Sequence, residues 1–142
     1  VLENDIFIKI DKLYSSDTLD FSEDQVESIK DQVRLANFKN MQKPLILQDG
    51  DTEVGYIRCI ESREGQLWIF ILFNDSWAAN RCRQLLETVP CGIVATVLRR
   101  AHKLAVRRFI LIFQNIIVED GKFFIQRGGN KGSAIFNSPV KE

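Results

Sequence analysis

Residues 67–73 read LWIFILF, seven apolar side chains in succession. Successive side chains of an extended strand point to opposite faces, so Leu67, Ile69, Ile71 and Phe73 share one face and Trp68, Phe70 and Leu72 the other. A strand that is apolar on both faces belongs at the centre of a sheet, with the core on one side and a helix or partner on the other. The neighbouring segments arrange themselves around it. Upstream, VGYIRCIE (54–61) predicts a second strand, joined through SREGQ with Gly65 at the tight position of a hairpin. PLILQD (44–49) predicts a short buried strand ending in the turn Gly50-Asp51-Thr52. Downstream, Asp75 or Ser76 caps a helix over 77–89 with Ala78, Cys82, Leu85, Leu86 and Val89 on one stripe, and Pro90 stops it.

Further out, NDIFIKIDKL (4–13) sets Ile6, Ile8 and Ile10 against polar partners, the period of a half-buried strand, and YSSDTLD reads as a polar loop. A helix follows in FSEDQVESIKDQVRLANF. Ser22 with Gln25 forms a capping box, Phe21 with Val26 a hydrophobic staple, and Glu23 and Asp24 sit at the positive end of the helix dipole. Val26, Ile29, Val33 and Ala36 form its apolar stripe. Beyond residue 90, CGIVATVL (91–98) predicts a strand, 106–120 a long strand or two joined near Gln114-Asn115, and KFFIQR (122–127) the last. The expected fold is α+β, an antiparallel-rich sheet or small β-barrel with two helices, in the order β-α-β-β-β-α-β-β-β.

The 142 residues suffice for one core that removes about two-thirds of the unfolded surface from water. We read 1–127 as a single domain and 128–142 as a flexible tail. Within the tail Ile135 and Phe136 form an apolar patch, which either docks into a neighbouring subunit or folds back on its own domain. The most apolar run, FILIFQNIIV (109–118), falls short of the roughly 20 residues of a membrane helix. The segment VLENDIFIKI is acidic where a signal peptide is basic. Cys59, Cys82 and Cys91 follow no framework spacing and read as buried thiols of a reducing compartment. These features suit the cytoplasm or a virion, neither secretion nor membrane insertion.

Charge is unevenly placed. Residues 1–65 carry eight Lys/Arg and fourteen Asp/Glu, whereas 66–142 carry eleven and five, so the halves are −6 and +6. Such a split suits head-to-tail assembly, or nucleic acid contact through the second half. The basic residues concentrate in VLRRAHKLAVRR (97–108): Arg99, Arg100, Lys103, Arg107 and Arg108 lie between two apolar runs. The pattern predicts a basic hairpin tip, or a short amphipathic helix with Leu98, Ala101 and Ala105 on one face.

Most chemistry is poorly served. One histidine and three cysteines without C-x-x-C or H-x-x-x-H spacing supply no recognisable zinc site. The turn DGDTE (49–53) lacks the later ligands of a calcium loop. His102, the sole imidazole, sits among cations with no adjacent carboxylate to orient it. GGNKG (128–132) follows no helix and lacks the Lys-Ser/Thr pair of a phosphate loop. No catalytic residue, cofactor or small-molecule ligand is indicated.

The succession DFSEDQVESI, KPLILQDGD, EVGYIRCIESREGQLWIFILFND, a helix, GIVATVLRR and FILIFQNIIVED resembles the phage prohead (capsid maturation) proteases over roughly residues 20–120. That family places its histidine after the first strand beyond the helix, where this chain has Gln48, Asp49 and Gly50. Its serine lies in the strand after the second helix, where this chain has Gly92 to Val97 without one. The resemblance therefore implies an enzymatically silent relative kept for assembly, with a virion or capsid-associated role. The expected function is a non-enzymatic structural protein contacting other copies or virion proteins; the alternative is a nucleic-acid-binding module using the basic hairpin 99–108.

Overall fold

The strand expected at the centre, β5 (Gln66–Phe73), lies between β1 (Asp5–Ile10) and β4 (Thr52–Arg63), antiparallel to both. Its Ile69, Ile71 and Phe73 are buried in the core. The computed structural model describes residues 5–10, 12–38, 43–89, 91–101, 103–113, 115–127 and 130–134, and of residues 115 and 125–134 the backbone alone. The remaining elements are β2 (Leu13–Ser15), α1 (Glu23–Phe38), β3 (Ile46–Asp49), α2 (Trp77–Leu85), β6 (Gly92–Arg100), β7 (Lys103–Ile112), β8 (Asn115–Glu119), β9 (Lys122–Arg127) and β10 (Asn130–Ala134).

Seven strands form a curled sheet in the order β1-β5-β4-β3-β7-β6-β2, and a second sheet runs β10-β9-β8. The α+β class with two helices holds. The large sheet is mixed, however: β3 pairs parallel with β7 and β2 parallel with β6, where an antiparallel-rich sheet is expected from the sequence. Three strands also exceed the expected order, one of them because 106–120 divides into β7 and β8. β2 lies in the segment that reads as a polar loop, and β10 pairs antiparallel with β9 inside the segment that reads as a tail. The polar look of β2 is misleading because its serines are used. The Ser16 amide donates to the Ala95 carbonyl (3.0 Å), its hydroxyl accepts from the Val97 amide (3.1 Å), and both Ser15 and Ser16 are buried. Ile135 and Phe136 lie outside the described residues.

Three register shifts curl the large sheet. Two are on β4, where Val54 and Arg58 are the extra residues, and one is on β7, where Arg107 is. Each extra residue bends its strand and increases the local twist. Gly55, beside the first, sits where β4 closes on β5: a Cβ there would lie 2.1 Å from the Leu72 carbonyl oxygen.

Helix α1 lies against β4 and β7. Its capping box forms as expected, with the Ser22 amide donating to Gln25 Oε1 (2.9 Å) and the Gln25 amide to Ser22 Oγ (3.2 Å). Ile29 and Val33 reach the core fully buried, each stabilising by about 1.5–3 kcal/mol. β3 is only four residues long and meets β7 at Phe109–Leu111, so the start of β7 has no strand on that side. Gln32 serves there instead: its amide donates to the Leu104 carbonyl (2.8 Å) and accepts from the Val106 amide (2.9 Å). Helix α2 is capped by Ser76, whose Oγ accepts from the Ala79 amide, and packs Ala79 and Cys82 into the same core. It ends at Leu85, short of the expected Val89, because residues 86–89 tighten into turns on the Gln84 and Leu85 carbonyls. No helix among the described residues is long and apolar enough to cross a membrane.

The close approach at Gly55 makes a specific prediction. Gly55→Ala forces β4 from β5 or bends both, and should lower unfolding free energy by more than ~2 kcal/mol in urea denaturation. A wild-type midpoint in the variant would contradict the geometry.

Candidate interaction surface

The outward side chains of the curled sheet fall into two regions with different fates. On β6 and β7, Val94 and Ile112 pack beneath Phe123 of β9, with Tyr14, Ile110 and Ile116 around them. Here the chain covers its own sheet. The Tyr14 and Phe123 rings meet edge to face at 6.1 Å.

The outward side of β3-β4-β5-β1 is built differently. Register places side chains in cross-strand rows: Ile46, Tyr56, Leu72 and Asp5; then Cys59, Phe70 and Phe7; then Glu61, Trp68 and Lys9. The apolar members of these rows are half-buried and belong to neither packed core. The aromatic rings cover one another. Phe7 stacks on Trp68 at 5.3 Å and meets Phe70 edge-on at 5.2 Å. Two arginines of β4 lie over them, Arg63 above Phe7 at 4.5 Å and Arg58 above Phe70 at 5.6 Å. Arg58 follows Tyr56 on this face, the bulge brings Cys59 to the same side, and Arg58 Nη1 bonds Asp5 Oδ2 at 2.8 Å. Arg63 is held to Glu61 at 2.8 Å. The result is an apolar sheet face that its own cations roof only in part. A groove among Pro44, Ile46, Tyr56 and Leu72 opens beside it.

The basic stretch is a hairpin. β6 and β7 pair as far as Arg100 and Lys103, and Ala101 takes a left-handed φ of 50° in the turn. His102 lies outside the described residues. Pairing divides the five cations. Arg99 sits opposite Leu104, on the side of α1, where its Nε donates to Asp17 Oδ2 and its guanidinium lies 5.3 Å above the Phe21 ring. Arg100, Lys103, Arg107 and Arg108 are exposed, and the register shift at Arg107 turns two consecutive arginines outward. The Asp17 carboxyl also accepts from Ser15 Oγ (2.5 Å) and the Leu19 amide (3.1 Å). Burial alone would raise its pKa; the hydrogen bonds from Ser15, Arg99 and Leu19, with the charge of Arg99, outweigh this and hold it below the usual carboxylate value.

Nucleophilic chemistry finds little footing. The Cys82 thiol donates to Asp49 Oδ2 at 3.5 Å, and burial together with that carboxylate pushes it up to about 12. Burial also raises the Cys59 and Cys91 thiols, with Glu61 adding to the effect at Cys59. A thiol is a poor nucleophile until ionised. Asp49, within the stretch 48–50 where the resemblance looks for histidine, and Ile93, within the strand 92–97 where it looks for serine, register with the same residue of β7, Leu111. One is bonded to a protonated thiol and the other is a buried aliphatic. No group of three or more His, Cys, Asp or Glu among the described residues could hold a metal ion. Neither protein-family models, nor curated proteins, nor solved structures match this chain.

Sequence patterning identifies both faces of β5 but not the arginine roof, because the rings beneath Arg58 and Arg63 are brought there by pairing with distant strands. It groups Arg99 with the other cations because pairing register is invisible along the chain.

The Asp17–Arg99 pair sets a pH dependence. A carboxyl whose folded pKa is depressed contributes stability that is complete above its unfolded value, about 3.9, and is lost as pH falls through the folded value. Arg99→Gln should therefore cost about 1.5–3 kcal/mol near pH 7, and the difference from wild type should shrink at a pH well below the unfolded carboxyl value. Urea midpoints at the two pH values measure it; a pH-independent difference would show that the charge of Asp17 is not involved.

Proposed function

We propose that this chain is a non-enzymatic assembly protein that works through protein–protein contacts, in the virion or capsid-associated setting that the prohead-protease resemblance implies. The observation that carries the reading is the asymmetry of the curled sheet. Where β8 and β9 lie over β6 and β7, outward apolar residues are packed by the chain itself. Across β3-β4-β5-β1, the apolar members of the rows, Ile46, Tyr56, Leu72, Phe70, Phe7 and Trp68, lie outside both packed cores. Contiguous apolar surface rimmed by charge is the character of a protein interface. Trp77, 78% exposed at the start of α2, adds a further aromatic of the type enriched at such interfaces. The raised thiols and the Asp49–Cys82 pair support a role without catalysis. On this reading the fold is an open barrel used as a scaffold, in the cytoplasm or on the particle.

Light scattering after size-exclusion chromatography tests the assembly reading. The mass should rise above the 16.4 kDa of one chain as concentration increases. A strict monomer at high concentration, unchanged when 128–142 are removed, would count decisively against self-assembly.

A second reading rests on the outward cations of the hairpin. Arg100, Lys103, Arg107 and Arg108 form a strip suited to phosphates. On that reading, affinity for a DNA duplex falls steeply with salt, and Lys103→Ala with Arg108→Ala lowers the log–log slope by roughly two. Arg99→Ala should leave the slope unchanged, since that side chain is held by Asp17. Absence of a mobility shift at low salt would dispose of it.

A further inference from the structure

We propose that the outward face of β4-β5-β1 is closed by a second copy of the same chain, related by a two-fold axis running along β5. This rests on the reading of that face as a docking surface and names its occupant. The argument is the placement of charge about β5. In one cross-strand row Lys9 and Glu61 stand on opposite sides of Trp68, one on β1 and the other on β4. A two-fold axis parallel to β5, lying between two such faces, exchanges the left and right ends of each row. Lys9 of either copy then meets Glu61 of the other, and Trp68 meets Trp68. In the adjacent row the same operation sets Phe7 beside the Arg58 and Cys59 strand of the second copy, an aromatic against a cation. The face is thus its own complement, the condition for an isologous dimer.

The size of the face fixes the character of the contact. The axis overlays β4, β5 and β1 of the two copies and leaves β3 outside, and three strands at their ordinary spacing and about six residues of length give roughly 300 Å² per copy. That is less than half of what a standard stable interface buries on each side. The dimer therefore dissociates on dilution, and it gains strength only where many copies are held close together.

Reciprocal charge exchange in the full chain, read by sedimentation velocity over a concentration series, tests the axis. Lys9→Glu and Glu61→Lys should each weaken dimerisation by at least ~10-fold, since each places like charges together at two symmetric points. An equimolar mixture should recover to within about threefold of wild type, because each copy then supplies the partner the other lacks. Circular dichroism confirms folding of each variant. Should either unfold, a Trp77→Phe background leaves Trp68 as the only tryptophan, and its emission should shift to the red on dilution of the dimer. A dimer whose affinity neither variant changes, or a Trp68 emission indifferent to dilution while mass changes, overturns this geometry and leaves self-assembly standing. A chain that never dimerises overturns both.

Discussion

Helix α1 completes the sheet where strand pairing runs out. β3 is four residues long, yet it stands between β4, with twelve residues, and β7, with ten. Backbone groups beyond its ends need partners that no strand supplies. The helix fills that position with Ile29 and Val33 as the apolar plug and with two side-chain amides as substitutes for a strand. Gln32 binds both a carbonyl and an amide of β7, while Asn37 donates to the Ile57 carbonyl of β4 at 2.9 Å. The curl of the sheet, the burial of its concave side and the separation of β4 from β7 all depend on this insertion. It also requires the helix to lie inside the curl, which leaves the opposite side of β3, β4 and β5 without a helix.

The same bulges that curl the sheet decide what its surface displays. At Arg58 the bulge sets two consecutive residues, Arg58 and Cys59, on the outward side with the aromatic rows. At Arg107 it turns two consecutive arginines outward near the hairpin tip. Curvature and surface chemistry therefore share a cause. An arginine roof over Phe7 and Phe70 keeps an apolar face compatible with water while leaving it available, since guanidinium groups stack on rings without sealing them.

How much of this was legible in the chain follows from the range of each interaction. The capping box at Ser22 and Gln25, the Ser76 cap, the turn at Gly65 and the two-sided strand 67–73 are encoded within a few residues, and all form. β2 was missed because Ser15, Ser16 and Asp17 look like solvent-seeking residues; their partners Ala95, Val97 and Arg99 lie some eighty residues away. The parallel pairings of β3 and β2 were missed for the same reason. Gln32 carried no signal, since a glutamine on a helix is ordinary until a strand edge is found beside it. For the surface, residue types were readable and facing was not: Arg99 differs from Arg100 only in which side of the hairpin it occupies.

One feature of the topology bears on how the chain reaches this state. Residues 5–15 form two short strands, and these pair with opposite edges of the large sheet, β1 with β5 and β2 with β6. During synthesis this segment emerges before either partner exists, and it waits about fifty residues for the first and eighty for the second. Closing such long loops carries an entropic cost before any contact repays it. Until β5 is complete, Ile6, Ile8 and Ile10 remain an alternating apolar strand without its pairing partner. The ribosome thus releases this segment well before the strands that pair with it, and this interval is when the nascent protein is most open to strand exchange with its neighbours.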